Sequence, residues 1–526
     1  MGFNPEPYDL LSAIGYWAVV FGTFAVLALV VSLIIACIRY GATDGPVALV
    51  LRIRTGLGDL TSMSWRRIGA ITILTFKEAI RRKALMVFVV FAVLFMFAGW
   101  FLSDTNARPD LQAKVYITFV LTAIAWLVLP VALLLSCWGI PEDIRLRSLH
   151  TVVTKPVRRS EVVIGRILGF IGINTLVLAI MAGVGYVWTR RHVPEEALIC
   201  RVPVYGELSF TDRQGNTEDE EGRPVKGVNV GDIWEFRSYI EGATKASAIW
   251  EFDVGEPRDE LILESRFEAF RTHKGEIGKG LLCRMLVEKD GLRVPIKTFE
   301  VAEFTYNVIS VPRKITHEGK NYDLFEDLTD NGKLRIVVQC LDAGQYIGMA
   351  KSDLFIRLPD RPFISGYFKA VLGIWLMVVL IIMLGVTASC FVKGPVATLL
   401  TFALLVVGQG FREFMDKLVS GQAHGGGPVE SIYRILTHMN VVSPLPESTF
   451  ATVMQTIDSV ILKILWVIQN IVPNFRHFRM SPYVANGFDV PWSAALLPSL
   501  TVTVAYVIPC VLIGYYSLTL RELEAK

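Results

Sequence analysis

Residues 14–38 run without a charged side chain, and long apolar stretches return at 84–102, 115–138, 162–188, 363–392 and 492–518. About 20 apolar residues span a bilayer's hydrocarbon core, where every backbone polar group must find its partner within the protein. Stretches of this length therefore predict membrane helices. A mean hydropathy of +0.47 and 52% apolar residues exclude an ordinary soluble globular chain. Residues 1–16 carry Glu6 and Asp9 but no basic residue, so the first stretch reads as an anchor and not a cleaved secretory signal.

Charge orders these stretches. The net charge of +3 is uneven: residues 190–362 hold 25 Lys+Arg against 31 Asp+Glu, net −6, so the rest of the chain carries +9. That excess lies beside the apolar runs, where cytoplasmic flanks collect cations, and it gives no reason to expect nucleic-acid binding. Arg39, Arg52, Arg54, Arg66 and Arg67 place the N-terminus outside and residues 39–83 in the cytoplasm. The chain then crosses out at 84–102, in at 115–138 (with Pro130 inside the span), and out at 162–188. Residues 363–392 return, and 396–407 form a short outward run that reaches further only with 408–411. Within 408–491 the apolar stretch 457–472 is broken by Lys463. A re-entrant or surface-lying helix there leaves 492–518 as the last inward crossing and the C-terminus cytoplasmic; a full span would put it outside.

The polar segment 190–362 is then extracytoplasmic. Runs such as IWEFRSYI, SAIWEFDV, LLCRMLVEKD and LRIVVQCL alternate with period two. Turn signals separate them, among them Lys289-Asp290-Gly291 and Asp330-Asn331-Gly332. This predicts a β-sandwich-like domain. DEEG at 219–222 lacks EF-hand spacing and reads as a solvated acidic loop. Of seven cysteines, none in a CxxC pair, Cys200, Cys283 and Cys340 share this segment, and an oxidising compartment would permit one disulfide among them.

Residues 139–166, GIPEDIRLRSLHTVVTKPVRRSEVVIGR, hold six basic and three acidic side chains between two apolar runs. Pro141, Glu142 and Asp143 read as a helix start, the β-branched run 151–154 and Pro156 as its end, and Ser160 as the cap of the next helix. The segment is either an ordinary basic cytoplasmic loop or a dock for a cytosolic partner. Residues 64–83 form an amphipathic pattern, with Trp65, Ile68, Ile71, Leu74 or Thr75, and Ala79 on one face and Arg66, Lys77, Arg81 and Arg82 elsewhere. That predicts a helix in the headgroup plane, or an extension of the following span. Gly165, Gly169 and Gly172 carry GxxxG-like spacing, which allows close helix approach inside a bundle or at a subunit interface.

Catalytic motifs are missing. GEIGKG at 275–280 has the wrong length for a phosphate loop, LVSGQ at 418–422 has no nucleotide domain around it, and no HExxH or GxSxG motif occurs. His424, His438 and His477 lie at irregular spacing in one late segment, which reads more readily as unrelated histidines than as a metal site. Charges deep within the spans are not evident, which argues against a proton-coupled carrier.

TFKEAIRRK at 75–83, LHTVVTKPVRRSEVVIGRILGF at 149–170 and the terminal RELE at 521–524 resemble ABC-2 type transporter permeases, nearest the group linked to multicopper-enzyme maturation and sodium export. The first resembles the interfacial elbow helix (Trp65, Lys77, Glu78, Arg81, Arg82). The second resembles the loop in which such permeases meet their ATPase. The resemblance implies a polytopic α-helical membrane protein with a six-span ABC-2 core. An extra N-terminal span and the inserted domain at 190–362 depart from that core. The parts are an anchor and linker (1–63), a first half-core (64–189), the β-rich insert (190–362) and a second half-core (363–526). It implies a multi-pass subunit of the cytoplasmic (inner) membrane, dimeric with itself or a homologue and not itself an enzyme. ATP and Mg would sit in a separate cytosolic ATPase, and no cofactor in this chain. ATPase contact would fall on Glu142, Asp143, Arg145, Arg147, Thr151, Lys155, Arg158 and Arg159. The insert leaves the substrate open and keeps a competing class in view, a membrane-anchored receptor using the β domain. A membrane-embedded enzyme is a weaker third, lacking a catalytic constellation.

Overall fold

The computed structural model describes residues 7–81, 86–101, 109–145, 157–219, 221–228, 237–271, 280–302, 305–421, 426–440, 443, 445 and 449–524. The chain separates into two compact units. One comprises Ile199–Phe363 with Gly487–Asp489, and the other Pro7–Leu198, Ile364–Asn486 and Val490–Lys526.

The larger unit is helical. Helix α1 (Leu10–Tyr40) opens on Asp9, whose carboxylate accepts from the Leu11 and Ser12 amides, and none of its residues is buried. Helix α2 (Asp44–Thr61) folds back so closely that a Cβ on Gly45 would lie 2.8 Å from the Cys37 backbone. There follow α3 (Trp65–Arg81), α4 (Val87–Phe101), α5 (Pro109–Arg145) and α6 (Arg159–His192). The second half contains α7 (Phe363–Phe391), α8 (Gly394–Val406), α9 (Arg412–Val419), α10 (Pro428–Leu436), α11 (Thr449–Ile471), α12 (Ser481–Ala485) and α13 (Leu497–Glu524).

Among the described residues, seven helical stretches are long and apolar enough to cross a membrane: Leu10–Tyr40, Leu111–Arg145, Arg159–His192, Phe363–Phe391, Gly394–Val419, Thr449–Ala485 and Trp492–Arg521. A multi-pass membrane protein is the class these define. The run that looked short at 396–407 continues as helix to Val419 through a π turn at Val407–Phe411. Helix α11 is unbroken across Lys463. Partway along it Asp458 is buried, and its carboxylate accepts from the Val429 and Glu430 amides at 2.8 and 2.9 Å, which caps the start of α10. The buried carboxylate within α11 is thus partnered.

Helix α7 is the most enclosed, with Leu380, Ile381, Ile382 and Val386 fully buried. Its Tyr367 hydroxyl donates to the Ala182 carbonyl at 3.0 Å. Gly185 makes the room: a Cβ there would sit 2.9 Å from that hydroxyl and 2.7 Å from Val120 on α5.

The smaller unit is an antiparallel β region. Its strands are β1 (Val202–Tyr205), β2 (Glu207–Phe210), β3 (Ser238–Glu241), β4 (Ala248–Asp253), β5 (Glu260–Ser265), β6 (Glu268–Phe270), β7 (Leu281–Lys289) and β8 (Leu292–Val301). Then come β9 (Asn307–Pro312), β10 (Lys314–His317), β11 (Lys320–Asp323), β12 (Thr329–Asp330), β13 (Lys333–Cys340), β14 (Tyr346–Met349) and β15 (Leu354–Leu358). One sheet orders as β2-β4-β13-β7-β8 with β12 beside β13, and a second as β1-β15-β5-β9. A three-stranded β3-β14-β6 sheet and the β10–β11 hairpin complete the unit. Asp290-Gly291, Glu318-Gly319 and Asn331-Gly332 each take left-handed backbone at both positions, the geometry of tight hairpins. Period-two alternation turns Cys283, Met285 and Val287 inward. Trp250, Phe252, Ile336 and Val338 from the larger sheet meet Leu263, Val311 and Ile356 from the smaller in one apolar core.

A distant piece of chain completes this unit. The Arg201 amide donates to the Gly487 carbonyl, the Asp489 amide to the Arg201 carbonyl (both 2.8 Å), and Arg361 pairs with Asp489 at 2.8 Å. Arg201 also pairs with the buried Glu264 on β5, while Arg357 lies 3.6 Å away. Burial pushes the Glu264 carboxyl up, against the pull of both guanidiniums. The Asp219 turn is closed by its own chain: its carboxylate accepts from the Glu221 and Arg223 amides and pairs with the Arg223 side chain, holding it below the usual carboxylate range.

Candidate functional site

Helix α3 lies along the first half of α6, and glycines bring the two together. A Cβ on Gly165 would lie 2.7 Å from Ile71, and one on Gly169 would lie 2.4 Å from Thr75. Gly172 meets Phe76 at an ordinary 3.5 Å, so the first two glycines make the seam and the third only borders it. Helix α3 buries Ile68, Thr75 and Ala79 there, while Trp65 and Leu74 stay exposed. Of the inward alternatives at 74 and 75, threonine is the one chosen. Its hydroxyl donates to the Ile71 carbonyl, leaving a small apolar methyl for Gly169. Lys77 and Arg81 are exposed; Arg82 lies outside the described residues.

Two ionic clusters close the seam. In the first, Arg166 on α6 reaches Asp143 at the end of α5 and Glu78 on α3, the latter at 2.5 Å. In the second, the fully buried Glu161 accepts from the Ser64 amide at 2.8 Å and from the Arg67 guanidinium at 2.8 and 3.1 Å. The same carboxylate takes the Arg158 amide at 3.0 Å, satisfying one free N–H at the start of α6.

Arg158 extends the cluster. Its guanidinium donates to the Gly58 carbonyl at 2.9 Å and to the Ser62 hydroxyl, and lies 3.7 Å from the Asp59 carboxylate. The Ser160 hydroxyl donates to the Asp59 carbonyl at 3.2 Å, and Tyr515 on α13 donates to the Asp59 side chain at 2.8 Å. Ends of α2, α3, α5 and α6 and the last turns of α13 are thus tied into one block.

Two local expectations are corrected. Pro141 does not start a helix: α5 runs unbroken from Pro109 to Arg145. Proline removes one backbone donor and tolerates helix where neighbours restore packing. Asp143 lies within that helix and is paired with Arg166. Nor does Ser160 cap α6, since the helix begins at Arg159 and Glu161 reaches back.

Of the eight residues singled out for partner contact, Asp143 and Arg158 are engaged inside the block. Glu142 and Arg145 face each other at 3.5 Å at its rim, with the Arg145 side chain 75% exposed. Arg159 opens α6 half-buried. Arg147, Thr151 and Lys155 lie outside the described residues. Sequence reasoning missed Asp59, Arg67, Glu161, Arg166 and Tyr515. The available signal was a carboxylate three residues into a helix and an arginine one turn further inside an apolar run.

Among the described residues no group of three or more His, Cys, Asp or Glu side chains is placed to hold a metal ion; His424 falls outside them. No family model, curated protein or solved structure matches the chain.

Proposed function

We propose that this chain is the membrane subunit of an ABC-2 type transporter, coupling ATP hydrolysis in a separate cytosolic ATPase to export of a substrate. In this reading the ATPase holds ATP and Mg, and two permease chains assemble in the cytoplasmic membrane. Residues 146–156 face the cytosol and the β unit lies outside. The observation that carries the reading is the braced block: Arg166, Asp143 and Glu78 with Glu161 and Arg67 lock α3 to α5 and α6, the helices that flank residues 146–156 in sequence. A partner pressing on the loop would shift those helices as a body, giving the bound and free partner different affinities for two arrangements.

The test follows from which charges are internally engaged. Because Arg158 braces α2, the reversals belong at the exposed Arg145 and at Arg147, two residues further along the sequence, in the double variant Arg145→Glu and Arg147→Glu. Purified in mild detergent from its native membranes, the wild-type chain should carry ATP hydrolysis, and the variant should hold its ATPase about tenfold or more weakly, a change of about 1.4 kcal/mol per decade. Undiminished recovery would move the dock elsewhere. Wild-type chain without any ATP-hydrolysing subunit would favour the second reading, a membrane-anchored receptor, which the self-contained core of the β unit supports.

Orientation is tested separately. With an impermeant maleimide on intact cells, Glu221→Cys should label and Arg145→Cys should label only after permeabilisation. The reverse pattern would overturn the topology.

A further inference from the structure

The β unit brings two of its three cysteines together. Cys283 on β7 and Cys340, the last residue of β13, stand directly opposite in the antiparallel register. The adjoining pair, Leu282 and Leu341, is joined by a Leu341 N–H to Leu282 carbonyl bond of 2.9 Å. Hydrogen-bonded and non-hydrogen-bonded pairs alternate along such a ladder, so the cysteines occupy a non-hydrogen-bonded position, where opposed Cα atoms lie about 4.5 Å apart and side chains are closest. Disulfides bridge Cα separations of about 4.4–6.8 Å.

Both side chains face the shared core, Cys283 with no exposure and Cys340 with 2%. Gly242 leaves space beside them, since a Cβ there would fall 2.8 Å from the Cys340 Sγ. The third cysteine, Cys200, precedes β1 and lies against Asp489, its Sγ 3.8 Å from the carboxylate.

We propose that Cys283 and Cys340 are a disulfide-forming pair that cross-links the neighbouring inner strands β7 and β13 of the larger sheet. The proposal rests on the placement of the β unit outside the cell, in an oxidising compartment. The oxidant is a protein disulfide of the thiol-oxidase class. One cysteine thiolate attacks it to form a mixed disulfide. The second thiolate then displaces the oxidant's remaining sulfur, so the new S–S bond forms as the oxidant leaves with both electrons as a dithiol. Burial pushes the Cys340 thiol up to about 11 and Cys283 higher still, so the folded core suppresses the attacking thiolate. The bond therefore forms as β7 and β13 pair, before the core closes.

The experiment uses the full chain in native membranes. Denaturation in excess N-ethylmaleimide blocks free thiols; reduction and a second, heavier alkylating label mark those that were bonded, and peptide masses read each site. The expected result is the second label on Cys283 and Cys340 and the first on Cys200, with Cys283→Ala moving Cys340 to the first label. The Glu221→Cys accessibility assay is run in parallel. Free Cys283 and Cys340 in a chain whose position 221 labels from outside would overturn the pairing itself. Free thiols with position 221 closed to the outside reagent would overturn the placement, and the bond with it.

Discussion

Fully buried side chains in the β unit include Trp250, Phe252, Ile336 and Val338; at the α3–α6 seam they include Thr75, Ser160 and Glu161. In water, burying apolar surface drives association, so a sheet closes over aromatic and branched residues. Between helices in lipid that drive is absent, since the surroundings are as apolar as the side chains. Close backbone approach and internal polar pairs hold the helices instead. Helix α1 marks the limit: it is apolar throughout, yet has no buried residue. Hydrophobicity alone buries none of it, and its contacts are local: the close approach of Gly45 on α2 to Cys37 and a hydrogen bond from the Tyr16 hydroxyl to Asn470 on α11.

Four changes would break or sharpen this contrast. Trp250→Ala should cost the β unit about 3–5 kcal/mol, read as a lowered melting temperature of the purified chain, because it empties the centre of a shared core. A cost below about 1 kcal/mol would mean that the two sheets do not depend on a common core. Arg166→Ala should cost about 3 kcal/mol, since it removes the guanidinium that pairs with both Asp143 and Glu78. A neutral result would show that the seam is held by packing alone. Gly169→Leu should cost about 1–3 kcal/mol through the collision with Thr75, while Gly183→Leu, facing open space, should stay within about 0.5 kcal/mol. Equal effects at the two glycines would remove the seam from the account.

The smallest effect is one of pH. Burial raises the Glu264 carboxyl above its ordinary 4.5, so the folded chain holds that proton more tightly than the unfolded chain does. Stability from this group therefore grows as pH falls from the folded value toward 4.5, and is lost as pH rises through the folded value. Melting curves of wild type and Glu264→Gln from neutral pH down to 4.5 should show the wild type gaining on the variant with acid. A constant gap would mean that Glu264 titrates alike in both states.

The first span and the hairpins were legible because each depends on neighbours in sequence: a run such as 14–38 needs only its own hydropathy, and Asp290-Gly291 only its own backbone freedom; the run at 396–407 was read too short because its helix continues through a π turn into polar sequence. Helix α2 went unread, since its glycines at 45, 56 and 58 weaken a helical pattern that packing against α1 restores. The glycine spacing at 165 and 169 announces a close neighbour without naming it, and that neighbour, α3, lies some ninety residues earlier. Glu161 and Arg166 were harder still. A charge inside an apolar run shows that partners are needed, but Ser64, Arg67, Glu78 and Asp143 become its partners only once three helices have converged.

The strand-like contribution of Gly487–Asp489 to the β unit sets an order of events during synthesis. A ribosome has emitted Phe363, and with it the last strand, well before it reaches Gly487, and the intervening chain belongs to the helical unit. At about 5–20 residues per second that gap lasts on the order of 6–25 s. Through it Arg361 lacks Asp489 and the Arg201 backbone lacks its partners at 487 and 489. A fragment ending at residue 362 would stay permanently at that stage, with its first strand unlatched. The nascent chain leaves it only when the helical unit has been made as far as α12, with α13 still to come.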